Sequence, residues 1–383
     1  MRTQILLTIV AFFFCSCSSN NQKISFQELD LDPIIYKTMQ ENKLPGLAIA
    51  IVKDDSVILA KGYGVRKLGE SAPMDEHTLF PAASITKSFT ATLLGILAGR
   101  GKLNWTDPVI NYIPGFKTSE PFVTQTLTIQ DLVSLRSGLL GAETLQGNSR
   151  RELIPQIKNL KISNSFRVVQ TSYDLNFTLA ALVAEIIEGK NWESLINSEL
   201  IVPLKMKETF TDIQSALAAT KNVSTPYMID TEKNVIPTEW EQTGIYGPAD
   251  AIISNVIDLT NYIKLYLNNG VFEKDSIINS TTLTQIQTPQ MITAGILQDY
   301  YNPKANFMTF GSGCAISDYK GSKIIQMAGM ISGSSSLITL IPSEKIGIAI
   351  QTNMADAVST FAPINYKIID IFRSAKDIRY GGK

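Results

Sequence analysis

Ser84 and Lys87 stand in "FPAASITKSFTATLLG" (residues 80–95), three positions apart at the start of an apolar run. On a helix that spacing projects a hydroxyl and an amine from the same face, one turn apart. Serine at a helix start is a common cap and a first-turn lysine commonly holds its head in water, so one reading is purely structural. The other is a nucleophile beside its base. That chemistry needs a neutral amine, and burial supplies it by disfavouring the ammonium and lowering its pKa, so that a dry lysine can take the serine proton. The same spacing recurs at Ser317 and Lys320 in "SDYK", which reads as a polar loop between strands and a coincidence of composition. His77, in "DEHTLF", is the single histidine of the chain. A Ser-His-Asp triad would have to use it, and a zinc hydrolase would lack a histidine set. His77 reads as a surface residue, so neither a metal nor a cofactor is expected, and any nucleophile must find its base elsewhere.

Stepping outward, the elements that must hold this pair fall into two kinds. "LPGLAIAIVKDDSVILAKGYGV" and "SSSLITLIPSEKIGIAIQTN" each alternate apolar positions about a polar turn, Lys53 to Ser56 and Pro342 to Lys345 respectively. Both predict hairpins, and their distance in sequence predicts one antiparallel sheet assembled from both ends of the chain. Between them the period becomes helical. Ser84 to about Arg100 predicts one helix. "DLNFTLAALVAEIIEG" aligns Leu175, Leu179, Leu182, Val183, Ile186 and Ile187 on a stripe, with Asp174 placed to cap it and Gly189 to end it. "NVIDLTNYIKLYLNNG" predicts a third helix, closed by Asn269 and Gly270. The expected class is therefore α+β: an antiparallel, five-stranded sheet flanked by helices, with a mainly helical lobe inserted. The sheet lobe spans about residues 42–75 and 305–383, and the helical lobe about 76–304.

The chain has 383 residues, 44% of them apolar, enough for a large two-lobed core. A net charge of -1 leaves no basic excess for phosphates, so nucleic acid is not an expected partner. "MRTQILLTIVAFFFCSCSSN" combines Arg2, an apolar run too short to span a bilayer, and small residues, the layout of a secretory signal over residues 1–16. Residues 17–25 make a polar tether, and 26–383 form the folded unit. Cys15 would leave with the signal and Cys314 would stay alone, a small apolar strand residue rather than a nucleophile, so no disulfide is expected.

"TLFPAASITKSFTA" resembles the nucleophile segment of the serine β-lactamase and penicillin-binding protein superfamily, in the branch of class C β-lactamases, D-Ala-D-Ala carboxypeptidases and related esterases. "GKLNWTDPVINYIPGF", "LTIQDLVSLRSGL", "ISNVIDLTNYIKLYLNNG", "FGSGC" and "MAGMISGSSSLITLIPSEKIGIAIQTN" follow in that branch's order, and the resemblance covers nearly the whole mature chain. It implies a β-lactamase/transpeptidase-like fold, with Ser84 as the acyl-accepting nucleophile and Lys87 as its proton acceptor. It also implies an oxyanion hole from the backbone N–H groups of Ser84 and Met330. Phe14-Cys15-Ser16-Cys17 further resembles the bacterial lipoprotein box, with Cys17 as the lipid-bearing residue; plain signal cleavage is the alternative. Either implies export, and the first implies a lipid anchor in the cell envelope, at the periplasm or outer membrane.

Two motifs and two further positions depart from the family pattern. For Tyr-x-Asn, the chain has Ser172, Tyr173 and Asp174, so Tyr173 is displaced by one position; it is either the third catalytic group or a packing aromatic at a helix start. Asp174 stands where the substrate-binding asparagine is expected. For Lys-x-Gly or His-x-Gly, the chain has Met327, Ala328 and Gly329. Methionine cannot donate a hydrogen bond or carry the charge that holds a substrate carboxylate, whereas Gly329 keeps the close backbone approach. Leu135 replaces a histidine, and Asp250-Ala251 a glycine pair. The expectation is an exported serine hydrolase acting on a small-molecule or peptide ester or amide. Its rival is a catalytically impaired relative that binds cell-wall peptides or an envelope partner.

Overall fold

A computed structural model of the chain describes residues 30–163, 166–171, 174–293, 298 and 301–380. The signal, the tether with Cys17, and Tyr173 lie outside the described residues.

Apolar alternation builds the sheet. Strands β1 (Gly46–Lys53) and β2 (Ser56–Gly64) are joined through Asp54 and Asp55, both at positive φ, 48° and 66°. Such left-handed pairs make the mirror-image turns whose twist suits a two-residue hairpin. Strands β3 (Met291–Ile292), β4 (Met308–Phe310), β5 (Ala315–Tyr319), β6 (Ser322–Ile331), β7 (Ser334–Ile341) and β8 (Ile346–Thr352) complete an eight-stranded sheet in the order β3-β4-β5-β6-β7-β8-β1-β2. All neighbours are antiparallel, and the two ends of the chain meet where β1 lies on β8, with Ile49 opposite Ile350. The sheet thus has eight strands rather than five. Strands β3 and β4 have two and three residues, too short to show an alternation, and β3 falls inside the interval assigned to the helical lobe. Ser317 lies within β5, paired to Met308 and Ile324 on either side, and not in a loop. Its hydroxyl accepts from Asn302 while Lys320 reaches Asp370, so that second serine-lysine pair is split between core and surface.

The helices packed around the sheet and its insertion include α1 (Asp32–Glu41), α2 (Thr86–Gly99), α3 (Ile129–Val133), α4 (Asp174–Glu188), α5 (Gly247–Asp250), α6 (Val256–Leu267) and α7 (Ala362–Tyr380). Both sheet faces are covered. Leu47, Ile49 and Ile51 share one core with Ile35 of α1 and Ile364 and Ile368 of α7, whereas Ala48, Ala50 and Val52 face the core of the helical lobe. Helix α2 is buried at every position from Thr86 to Leu97, as a helix apolar on all sides must be. Its hydroxyls are satisfied internally: Ser88 donates to the Ile85 carbonyl, and Thr92 bonds Tyr262 and Tyr266. The α4 stripe buries Leu175, Leu179, Leu182 and Val183. Gly189 and the Asn269-Gly270 pair, all at positive φ, follow α4 and α6 as anticipated. Among the described residues no helix is long and apolar enough to cross a membrane.

Candidate active site

Ser84 sits in a single 3-10 turn, Ala83–Ile85, that leads into α2, and its side chain caps nothing. The capping role is excluded, because its Oγ is committed elsewhere. Oγ donates to Asp250 Oδ1 at 2.7 Å and accepts from Lys87 Nζ, also at 2.7 Å. Lys87 is buried, and its Nζ lies 2.8 Å from Asp174 Oδ1 and 3.4 Å from Asp250 Oδ1. A lysine with its head in water is therefore excluded too. Asp174 opens α4, but its carboxylate is spent on the Lys87 ion pair.

Contacts distant in sequence fix this cluster. The Phe80–Pro81 segment pairs with Ile253–Ser254, so the strand entering the Ser84 turn runs beside the one leaving Asp250. Ala82 N–H donates to the Ile252 carbonyl at 2.7 Å, and Ile252 N–H donates to Thr86 Oγ1 at 3.0 Å. Thr90 Oγ1 donates to the Pro248 carbonyl and itself accepts from Trp192 Nε1, which pins α5 to α2. Ala83 takes φ of 48°, a left-handed conformation without a glycine. Such a residue stores ~1–3 kcal/mol of strain, held here by the bonds on either side. Across the cleft, a Cβ added to Gly329 would stand 2.2 Å from the Ala82 carbonyl oxygen and 2.7 Å from the Ser84 nitrogen, so only glycine lets β6 lie against the nucleophile turn. Strand β5 pairs with β6 only as far as Gln326, and Met327 to Ile331 pair with β7 alone among the described residues. This part of β6, with Gly329 closest to the Ser84 turn, carries Met330 opposite Ser335 of β7.

The electrostatics reverse one expectation. Burial by itself pushes the Lys87 ammonium down, but the Asp250 and Asp174 carboxylates outweigh it through charge and hydrogen bonding, and the pKa of Lys87 is raised above the ordinary lysine value. The dry, neutral amine anticipated from the sequence is replaced by a caged ammonium. Asp250 moves the other way from most ion-paired carboxylates. Burial raises it, Lys87 lowers it, Asp174 pushes it up again, and it settles at about 6.

Two clefts meet at this cluster. One, of about 130 Å³, is lined by Ser84 and Lys87 with Leu135, Met308, Phe310 and Met327. Leu135, at φ of 57°, offers an apolar surface where the family pattern has histidine. Met327 is buried in this wall and brings no charge. Tyr301, Cys314 and the polar Gln170, Thr293 and Gln326 also line it, with burial pushing the Tyr301 phenol up and the Cys314 thiol up to about 12, which leaves that thiol protonated and inert. The second cleft, about 200 Å³, opens on the far side of Asp250 and is lined by Trp240, Thr243 and Ile331. His77 is half-exposed and bonds Glu208 at 2.7 Å. The structure thus brings together Ser84, Lys87, Asp174, Met327 and Gly329. Sequence reasoning noted Asp250 only as a missing glycine; a carboxylate in place of that glycine was the available signal. Tyr301 left no signal.

The described residues hold no cluster of three or more metal-ligating side chains. The family model described as Beta-lactamase matches residues 31–371. The chain belongs to the beta-lactamase family. Among relatives, it is 25% identical over 368 residues to the unguisins hydrolase ungD of Aspergillus violaceofuscus, covering 89% of this chain and 64% of that protein. It is 24% identical to penicillin-binding protein 4 of Amycolatopsis lactamdurans, covering 85% of this chain and 84% of that one. The chain spans only about six-tenths of the length of several relatives, including protein flp of Staphylococcus aureus at 62%. Among solved structures, the octameric penicillin-binding protein homologue from Pyrococcus abyssi superposes with a TM-score of 0.74 at 24% identity, covering 87% of this chain and 75% of that one. A class C beta-lactamase mutant superposes equally well, TM-score 0.74 at 19% identity, covering 89% and 96%. The fold that this chain shares with these structures is the beta-lactamase fold.

Proposed function

We propose that the protein is an exported serine hydrolase that cleaves an ester or amide through an acyl-enzyme on Ser84. The observation that carries this reading is the placement of Ser84 Oγ, hydrogen-bonded at once to an ammonium and a carboxylate, at the wall of a cleft. A hydroxyl that is simultaneously a donor to a base and an acceptor from a cation is prepared to give up its proton. The backbone N–H groups of Ser84 and Met330 supply the oxyanion donors by family position, and such donors are worth several kcal/mol of barrier. Membership of the beta-lactamase family and likeness to a named hydrolase support the same chemistry. The signal over residues 1–16 and a lipid on Cys17 would place the enzyme in the bacterial envelope.

The cleft also narrows the substrate. Met327 offers a carboxylate neither charge nor hydrogen bond, and losing a hydrogen bond to a charged group costs roughly 1.5–3 kcal/mol, one to two orders of magnitude in affinity. An acyl group with an apolar body suits the walls formed by Leu135, Met308, Phe310 and Met327 better than a penicillin carboxylate does. The test is labelling of Ser84 by a fluorophosphonate and, separately, by a fluorescent penicillin, with Ser84→Ala as control. Fluorophosphonate labelling alone matches the proposal, and efficient labelling by both overturns the substrate preference. Silence from both replaces the hydrolase with an impaired relative that binds cell-wall peptides or an envelope partner.

A further inference from the structure

The resemblance assigns the serine proton to a lysine, yet the geometry offers it another destination. The Ser84 hydroxyl has one proton, and that proton points at Asp250 Oδ1, 2.7 Å away. Lys87 Nζ cannot receive it in this arrangement, because Nζ is itself a donor to Ser84 Oγ and is shared between two carboxylates. We infer that Asp250 is the proton acceptor for Ser84, with Lys87 acting as a fixed cation and Asp174 as the residue that holds it, an assignment that rests on the acyl-enzyme reading above.

The step balances without a neutral amine. Ser84 Oγ forms a bond to the substrate carbonyl carbon as its proton passes to Asp250 Oδ1, and the carbonyl π electrons move onto oxygen to give the oxyanion. Lys87 is spectator in charge but not in effect, since its ammonium keeps a hydrogen bond on Oγ while negative charge develops there. Collapse of the oxyanion breaks the bond to the alcohol or amine leaving group, which takes the proton from Asp250. Water then repeats the sequence: it attacks the acyl carbon, gives a proton to Asp250, and Oγ departs and recovers that proton. The products are a carboxylic acid and the alcohol or amine.

Place supports the assignment as well as distance. Asp250 closes the short helix α5 and lines the second cleft, and its Oδ1 reaches the Ser84 hydroxyl, which lines the first. The charged groups facing it are Lys87 from α2, Asp174 from α4, and across the second cleft Glu193, Asp212 and Glu241. Glu193 is engaged by Arg150, and Asp212 caps helix Ile213–Ala219, so neither is an equivalent base. Asp250, at about 6, is ionised at neutral pH yet accepts a proton more readily than an ordinary carboxylate, the poise a general base requires.

The experiment compares wild type, Asp250→Asn and Asp250→Glu, using a short-chain p-nitrophenyl ester for turnover and a fluorophosphonate for the acylation rate, each followed from pH 4.5 to 10. The wild type should gain kcat/KM with pH through about 6 and level off above it. Asp250→Asn should fall at least 100-fold and lose that limb, whereas Asp250→Glu should keep the limb at reduced rate, which loss of folding could not imitate. A labelled wild type whose Asp250→Asn variant keeps its rate, or whose rate climbs only above pH 9, overturns the base assignment alone. A wild type that no fluorophosphonate labels at Ser84 overturns the acyl-enzyme reading together with it.

Discussion

Two carboxylates of this chain, the buried Asp131 and the mostly buried Asp250, both lie against cations and are shifted in opposite directions. Asp131, in the short helix α3, is fully buried and accepts from Arg136 Nε at 2.7 Å, from Arg167 Nη2 at 2.7 Å, and from the Thr128 N–H and hydroxyl in a capping box. Burial pushes its pKa up, but these donors outweigh burial and hold it below the usual carboxylate range. Asp250 has one hydroxyl and a distant share of a lysine that Asp174 holds more closely, so burial prevails and the pKa rises to about 6. Burial acts on both; the differences are the number of donors and, at Asp250, the neighbouring Asp174 carboxylate. A carboxylate given every donor it can use is a clamp, and one left short of donors is a base.

That contrast predicts a clean separation of activity from stability. Asp250→Asn should cost the most activity, on the order of 10²–10⁴-fold as for loss of a general base, with little change in thermal midpoint at pH 7. The sign follows from the raised pKa of Asp250. Its contribution to stability is complete below the unfolded value near 3.8 and is lost as pH rises through about 6, so a neutral isostere gives up nothing at pH 7 and flattens stability over that interval. Asp131→Asn should do the reverse. Leaving two arginines without their buried partner costs about 3–5 kcal/mol of folding stability, read as a lower denaturation midpoint in urea, while the protein that remains folded keeps its kcat. The depressed pKa of Asp131 gives stability that is present above its unfolded value near 3.8 and lost as pH falls through its folded one, so this variant should also remove part of the acid-unfolding transition. If Asp250→Asn destabilised the fold as much as Asp131→Asn does, the distinction between clamp and base would fail.

A backbone change probes the same site without touching charge. At Gly329, a methyl group would meet the Ala82 carbonyl oxygen and the Ser84 nitrogen. Gly329→Ala should therefore push β6 away from the nucleophile turn and lower kcat by about 10-fold or more, since a 1 Å misplacement can cost 10²-fold. KM for a small ester should change less. An unchanged kcat would mean that β6 does not face the reacting atoms.

What the sequence disclosed depended on range. The hairpin around Asp54-Asp55, the apolar helix after Ser84 and the α4 stripe are local patterns, and each was legible. Ser84 and Lys87 were legible for the same reason, being one turn apart. Asp250 lies 166 residues from Ser84 and reaches it only through the pairing of Phe80–Pro81 with Ile253–Ser254, two-residue strands without a period of their own. The lysine's charge state was misjudged because burial is a property of one residue, whereas the two carboxylates that reverse its effect arrive from elsewhere in the chain. Strands β3 and β4, at one end of the sheet, are too short to carry a legible period.

The smallest expected effect carries the assignment of the acid limb. His77 is the single histidine, and its hydrogen bond to the Glu208 carboxylate raises its pKa above the ordinary imidazole value. Imidazole is the side chain that ordinarily titrates in the neutral range, so a limb in kcat/KM has to be separated from it. The geometry separates them: His77 bonds Glu208 on the surface with half of its side chain exposed, while Asp250 bonds the nucleophile. His77→Gln should leave both the rate and the limb unchanged. Its cost to stability should be about 0.2–1 kcal/mol, as for an exposed pair. That cost should be complete below pH 6.5, where the histidine is charged in either state, and should vanish as pH rises through its elevated folded value. A limb that moves with His77 would return the chemistry to imidazole; one that stays with His77→Gln and disappears with Asp250→Asn places the serine proton on a carboxylate.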